Sequence, residues 1–156
     1  KPFEEICDAL LEISDSFKET IQIVYPVHLN PNIMKIAYEK LTRENIKLIS
    51  PLDYPDLIWM MNRSNIILTD SGGIQEEAPS LGKPVLVLRD ITERMEGVHA
   101  GTAILVGSSK EKIVVETSML LTDVSYYLKI SKAINPYGDG TTSEKIKEII
   151  LANDCY

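Results

Sequence analysis

The sequence has few basic residues and no long apolar run, and these two shortages disfavour two classes of partner. Its 156 residues carry 16 lysine and arginine residues against 23 aspartate and glutamate residues, a formal net charge of −7. Basic surface is therefore scarce, and we expect neither nucleic acid nor an anionic membrane as the main partner. No apolar stretch approaches the ~20 residues that a membrane-spanning helix needs. One phosphorylated small molecule stays compatible with this charge, because local dipoles and a single arginine decide such a site.

Cysteines and cofactor motifs are equally scarce. Cys7 and Cys155 lie at opposite ends of the chain without a motif spacing, so we expect two free thiols in a reducing cytoplasm. Residues 1–5 do not form a secretory signal. Because the sequence begins with Lys1 and not with a methionine, we expect it to be a piece of a longer protein. The sequence has no metal-binding cluster and no nicotinamide-binding fingerprint, so neither cofactor is implied.

The chain does contain an alternation of strand and helix patterns. Apolar runs such as Ile46–Ile49 and Pro84–Leu88 are separated by segments with apolar residues at helical spacing. The alternation predicts one α/β domain, Rossmann-like, with a parallel sheet and helices on both faces. Ser108 and Glu111 have the spacing of a capping box. On the last helix we expect an inward-facing apolar side formed by Ile146, Ile149 and Ile150.

The most informative stretch is Ile66–Glu77, IILTDSGGIQEE, where an apolar strand pattern gives way to a glycine turn and a helix. Gly72 and Gly73 lack the Cβ atoms that would keep a ligand away from the backbone. The first N–H groups of a helix have no partner within it, and the helix dipole adds partial positive charge there. Such a turn suits a phosphate, with the Ser71 hydroxyl as a further donor. The alternative is a tight turn in which Ser71 only caps the helix.

Ligands of parallel sheets bind beyond the carboxyl-terminal ends of the strands. Four segments fall at that edge, namely His28, Leu52–Tyr54, Ser71–Gly73 and Arg89–Arg94. Glu77, one turn into its helix, can accept hydrogen bonds from ribose hydroxyls. The alternative is that its negative charge only interacts favourably with the positive end of the helix dipole. Arg94 can contact a diphosphate through two nitrogens, with Arg89 as its competitor.

Three motifs, in order and in register, resemble one family. They are YPVHLNP (Tyr25–Pro31), TDSGGIQEEAPSLGKPVLVLRDITER (Thr69–Arg94) and NPYGDG (Asn135–Gly140). The chain is similar over nearly its whole length to the carboxyl-terminal half of the non-hydrolysing UDP-N-acetylglucosamine 2-epimerases. The resemblance implies that residues 1–156 form the UDP-binding, Rossmann-like domain of a two-domain enzyme of the GT-B type. The amino-terminal domain and the first strand of this domain are expected to lie outside the sequence.

The resemblance also implies a role for individual residues. The diphosphate is held by Ser71, Gly72, Gly73 and Arg94, and the ribose by Glu77. Leu52 belongs to a loop that reads the uracil through backbone groups, and Leu57 contacts the base where relatives often have an aromatic residue. His28 contacts a second, regulatory UDP-sugar. The catalytic acid and base carboxylates come from the other half, so none is expected here, and this chain alone is expected to be inactive.

The implied reaction interconverts UDP-GlcNAc and UDP-ManNAc without a cofactor. UDP leaves across C1–C2 to give a glycal and returns with the C2 configuration inverted. The expected partners are a UDP-sugar and the missing amino-terminal domain, in a cytoplasmic homodimer that serves polysaccharide biosynthesis. Two alternatives stay open: the donor-binding domain of a GT-B glycosyltransferase, and a non-catalytic UDP-sugar sensor.

Overall fold

A computed structural model describes residues 2–153 of the chain, so the predicted free thiol at Cys155 lies outside the described residues. Within this range the helices are α1 (Pro2–Ser16), α2 (Pro31–Lys40), α3 (Tyr54–Arg63), α4 (Gly72–Glu77), α5 (Met95–Ala100), α6 (Lys110–Thr122), α7 (Val124–Ser131) and α8 (Thr142–Asn153). The strands are β1 (Ile23–Pro26), β2 (Ile46–Ile49), β3 (Ile67–Thr69), β4 (Val85–Val87) and β5 (Ala103–Leu105). A 3₁₀ turn, Ala78–Leu81, extends α4. The predicted alternation of strand and helix is confirmed.

The strands form two parallel ladders rather than one continuous sheet. β1 pairs with β2, and β4 pairs with β3 on one side and β5 on the other. Ile23 of β1 and Leu68 of β3 nevertheless pack against the same buried cluster, so the two ladders share a core. The prediction of a parallel sheet is therefore confirmed, with an interruption of the hydrogen-bond ladder between β1 and β3.

The central strand β4 has helices on both of its faces. Leu86 packs into a buried cluster with residues of α1, α6 and α7, which we call the first cluster. Val85 and Val87 point the other way and pack against Met61 of α3 and Ala78, in the second cluster. All three strand residues are completely buried, which explains why this strand reads as an uninterrupted apolar run.

Helix α1 joins the two ladders. Its residues Ala9 and Ile13 belong to the first cluster, whereas Cys7 packs with Val27 and Ile46 around β1 and β2. Cys7 is completely buried, and this burial raises the pKa of its thiol to about 11. The Cys7 thiol therefore stays protonated at neutral pH and acts as a small core residue.

Two sequence predictions about the last third of the chain are wrong. Ser109, not Ser108, caps α6, because the extended backbone that a cap requires lies one residue later than predicted. Ile146, Ile149 and Ile150 do not face inward: their exposed fractions are 52%, 61% and 56%. Ile146 and Ile150 lie outside the buried clusters formed by the described residues, so their periodicity marks a common helix face that these clusters do not cover. No helix between residues 2 and 153 is long and apolar enough to cross a membrane.

We expect Thr117→Val to stabilise the protein. Thr117 of α6 is buried, and its hydroxyl oxygen has no hydrogen-bond partner. A methyl group of the same size removes this unsatisfied polar atom, so the free energy of unfolding should rise by about 1 kcal/mol in urea denaturation. Thr122→Val is the matched control, because the Thr122 hydroxyl is exposed and donates to the Ser118 carbonyl at 2.8 Å. A loss of stability in Thr117→Val would contradict the expectation.

Candidate functional site

The glycine turn connects the carboxyl-terminal end of β3 to α4. The hydroxyl oxygen of Thr69 accepts the backbone N–H of Ser71 at 3.0 Å, which turns the chain back towards the sheet edge. Ser71 occupies the N-cap position with an extended backbone, φ −79° and ψ 130°, but its side chain makes no capping hydrogen bond. The capping alternative for Ser71 is therefore not what the structure contains. Because α4 has only six residues, its dipole is small.

Arg94, eighteen residues beyond Glu76 in the chain, lies directly over the glycine turn. A Cβ atom added to Gly72 would lie 3.4 Å from Cζ and 3.6 Å from Nη2 of Arg94. The same addition to Gly73 would find its nearest neighbour, the Ser71 hydroxyl oxygen, 3.9 Å away. The two segments that the sequence predicts to meet are thus neighbours at this edge, and a Cβ atom on Gly72 would be in ordinary van der Waals contact with the guanidinium of Arg94.

Two carboxylates hold the guanidinium of Arg94. Its Nε donates to Glu76 Oε1 at 2.7 Å, and its Nη1 donates to Glu93 Oε2 at 2.9 Å. These two bonds leave Nη2, which lies over Gly72, facing the turn. The hydrogen bond and charge of Glu76, followed by those of Glu93, raise the pKa of Arg94 above its usual value, so this group remains a cation.

A buried hydrogen-bond chain connects the glycine turn with the backbone of Arg94. Gln75 is 1% exposed, and its Nε2 donates to the Ser71 carbonyl at 3.2 Å. The hydroxyl of Thr92 donates to Gln75 Oε1 at 2.7 Å, and its oxygen accepts the Arg94 N–H at 3.1 Å. The side-chain amide of Gln75 and the hydroxyl of Thr92 therefore both have hydrogen-bond partners within the protein.

Tyr137, in the loop before α8, fixes the other side of Arg94. Its hydroxyl donates to the Arg94 carbonyl at 3.1 Å and accepts the Gly97 N–H at 3.0 Å. Tyr137 belongs to the NPYGDG motif of the sequence, and the structure adds a contact with the arginine loop. No spacing in the sequence pointed to this contact, since 43 residues separate the two partners.

The remaining predicted residues follow the ends of β1 and β2 or lie on α4. Glu77 is half-buried on α4. Its negative charge raises the pKa of the Tyr54 phenol, and burial of the phenol and its hydrogen bond to Glu77 add to this effect.

Leu52 is half-buried in the loop before α3, whereas Leu57, on α3, packs against the second cluster. His28 is exposed and its Nδ1 accepts the Asn30 N–H at 3.1 Å, so the neutral ring carries its proton on Nε2.

The two ladders approach each other at this edge. Burial, then the charges of Cys7 and Asp70, raise the pKa of Tyr25 to about 12. Tyr25 lies in β1 and Asp70 directly follows β3, so the charge of Asp70 acts across the interruption between the two ladders. Among residues 2–153 no group of histidine, cysteine, aspartate and glutamate side chains is arranged to hold a metal ion.

Sequence reasoning missed one residue of this edge, Tyr54, whose phenol contacts Glu77. Gln75 and Thr92 lie inside the motif Thr69–Arg94, but the motif does not say which of its polar side chains are buried. Only the contact with Ser71 and the burial of Gln75 show that this side chain is structural.

Comparisons with known proteins agree with this geometry. The family profile described as UDP-N-acetylglucosamine 2-epimerase matches residues 1–151. UDP-N-acetylglucosamine 2-epimerase from Escherichia coli K12 is 54% identical over 152 residues, which are 97% of this chain and 40% of the relative. A crystal structure of UDP-GlcNAc 2-epimerase from Neisseria meningitidis, bound to UDP-GlcNAc, superposes with a TM-score of 0.88 at 47% identity and covers 97% of this chain and 41% of that chain. A structure of S. aureus MnaA with UDP gives a TM-score of 0.90 at 46% identity, over 96% of this chain and 41% of that one.

The parallel ladders, the helices on both faces and the glycine turn at the sheet edge define a Rossmann-like α/β domain of the GT-B kind. The chain belongs to the UDP-N-acetylglucosamine 2-epimerase family. It spans about 40% of the length of the curated relatives that it matches. The family and fold expected from the sequence are confirmed, while the ligand roles of the individual residues stay predictions.

We expect the Tyr137 hydroxyl to leave no room for a side chain at position 97. A Cβ atom on Gly97 would lie 2.9 Å from the Tyr137 hydroxyl oxygen, so Gly97→Ala should lower the free energy of unfolding by about 1 kcal/mol or more. In a Tyr137→Phe background the clash disappears, and alanine should then be neutral or stabilising, as it is in other helix interiors. Urea denaturation of the four proteins measures the difference. An equal penalty in both backgrounds would show that Tyr137 is not the obstacle.

Proposed function

We propose that this chain is the UDP-binding half of an enzyme that interconverts UDP-GlcNAc and UDP-ManNAc. The observation that carries the proposal is the position of Arg94 over Gly72, which places a permanent cation beside the N–H groups of a glycine turn. A diphosphate has the charge and the oxygen acceptors that such a pair of groups binds. The ligands in the Neisseria meningitidis and S. aureus structures, UDP-GlcNAc and UDP, are of this class and support the proposal.

In this proposal the diphosphate accepts hydrogen bonds from the Ser71 hydroxyl, the N–H groups of Gly72 and Gly73, and Nη2 of Arg94. Elimination of UDP leaves negative charge on the departing phosphate oxygen. Donors that are already in place stabilise this charge without reorganisation. The contribution of this chain is therefore to hold and stabilise the leaving group, and the acid and base carboxylates come from another domain.

The rest of the nucleotide lies along the same edge in this proposal. Glu77 accepts hydrogen bonds from the ribose, and its contact with Tyr54 orients it. The backbone around Leu52 reads the uracil edge. Leu57 supplies an apolar contact to the base, although its packing against the second cluster leaves less of its surface for that role. His28, exposed after β1, contacts a second, regulatory UDP-sugar through Nε2.

We further propose a two-domain protein, in which residues 1–156 are the UDP-binding domain and another domain lies outside this sequence. Two observations support this. The described strands form two separate hydrogen-bond ladders, in which β1 and β3 are not paired with each other. The apolar side of α8 is more than half exposed, with Ile146 and Ile150 at 52% and 56%. A homodimer and a cytoplasmic location belong to the same proposal.

The binding site is tested by comparing two arginines in the two-domain protein. Arg94→Ala should weaken UDP binding by about 1.5–3 kcal/mol, because a charge-assisted hydrogen bond is lost, and Ser71→Ala by about 1–3 kcal/mol. Arg89→Ala removes an exposed guanidinium from the same loop and serves as the control. Isothermal titration calorimetry measures the affinities. Equal affinities of the wild type and the Arg94→Ala protein would remove Arg94 from the site.

The reaction is tested by incubating the two-domain protein with UDP-GlcNAc in D₂O. An epimerase that passes through a glycal should form UDP-ManNAc and incorporate deuterium at C2, as read by NMR. Transfer of the sugar to an added acceptor, without deuterium at C2, would identify a glycosyltransferase instead. UDP binding without any turnover would identify a sensor.

A further inference from the structure

The contacts around Arg94 restrict almost every polar group of this residue. Its N–H is held by Thr92, its carbonyl by Tyr137, its Nε by Glu76 and its Nη1 by Glu93. Long, charged side chains on protein surfaces normally keep several rotamers, and ordering such a side chain on binding opposes affinity. The contacts of Arg94 restrict its rotamers before any ligand arrives, which is the condition for a preorganised binding group.

The hydrogen-bond chain through Gln75 and Thr92 has a second property. It begins at the Ser71 carbonyl, at the turn, and ends at the Arg94 N–H, so it spans the two segments that must grip one ligand. Gln75 and Thr92 are 1% and 4% exposed, so water does not compete for the bond between them, whereas their bonds to Ser71 and Arg94 are part-buried. Because the Gln75 amide is hydrogen-bonded at both ends, it holds the Ser71 and Thr92 segments at a fixed separation.

We propose that Gln75 and Thr92 are positioning residues that set the distance between the glycine turn and Arg94 for the diphosphate. The proposal rests on the proposed function, since it concerns the same ligand. Neither side chain touches the ligand in this arrangement, because both are enclosed by protein. Their effect on affinity passes through Arg94 and the glycine turn.

The proposal predicts a specific loss in Thr92→Val. The valine keeps the shape of threonine but leaves Gln75 Oε1 without a donor and the Arg94 N–H without an acceptor. In the two-domain protein we expect the dissociation constant for UDP to rise about tenfold in calorimetry. Thr92→Ser retains the hydroxyl and should stay within about twofold of the wild type. Thr117→Val, the same change at a buried hydroxyl without a partner, is the matched control and should bind UDP as the wild type does.

A double-mutant cycle with Arg94→Ala separates positioning from general damage. If Thr92 acts through Arg94, Thr92→Val should change UDP affinity by less than about twofold once Arg94 is alanine. A full tenfold loss in that background would overturn the proposal. So would wild-type affinity of the Thr92→Val protein. Where the valine variant does not fold by circular dichroism, Gln75→Met, which has a similar volume, replaces it in the same cycle with the same two outcomes.

The outcome for the wild type distinguishes the two proposals. UDP binding by the wild type with an unaffected Thr92→Val protein overturns only the positioning role. A wild type that does not bind UDP at all, in calorimetry at millimolar nucleotide, overturns the proposed function and the positioning role together. UDP binding with a tenfold loss, rescue by serine and no further loss in the Arg94→Ala background supports both.

Discussion

The side-chain amide of Gln75 is enclosed by protein, so it has to find its hydrogen-bond partners inside the fold. It finds them in the Ser71 carbonyl and the Thr92 hydroxyl, which belong to two different strand-end segments. An unpaired amide at this depth would cost about as much as a whole hydrogen bond. The hydrogen bonds that pair the buried amide also hold the Ser71 and Thr92 segments in one arrangement at the edge of the sheet. The geometry of the candidate site follows from the need to pair this amide.

The sheet supplies the frame for this arrangement. Val85 and Val87 face one cluster and Leu86 the other, so the central strand is clamped from both sides. Short parallel strands with helices on both faces all end at one edge, and segments distant in sequence meet there. Arg94 and Gly72 are an example: the chain passes through β4 between them, yet the guanidinium lies over the glycine. Packing therefore decides which residues meet, and polar contacts decide how they are oriented.

The sequence predicts those parts of the structure that have local signals. Paired glycines after an apolar run, Gly72 and Gly73, predict the turn, and alternating patterns predict the parallel α/β architecture. The convergence of Arg94 on the turn follows from the strand order. Gln75 could not be assigned, because one polar residue on a short helix looks the same whether it is buried or exposed. The cap at Ser109 rather than Ser108 escaped prediction because adjacent serines differ only in backbone conformation. The periodicity of Ile146 and Ile150 shows that they share a face but says nothing about what covers it.

The shared hydroxyl of Tyr137 has a mechanical consequence. One oxygen atom joins the start of α5 and the carbonyl of Arg94 to the segment that leads into α8. A displacement of the segment before α8 is therefore transmitted to the backbone of Arg94 and to α5 through one phenol, although 43 residues separate Tyr137 from Arg94 in the sequence.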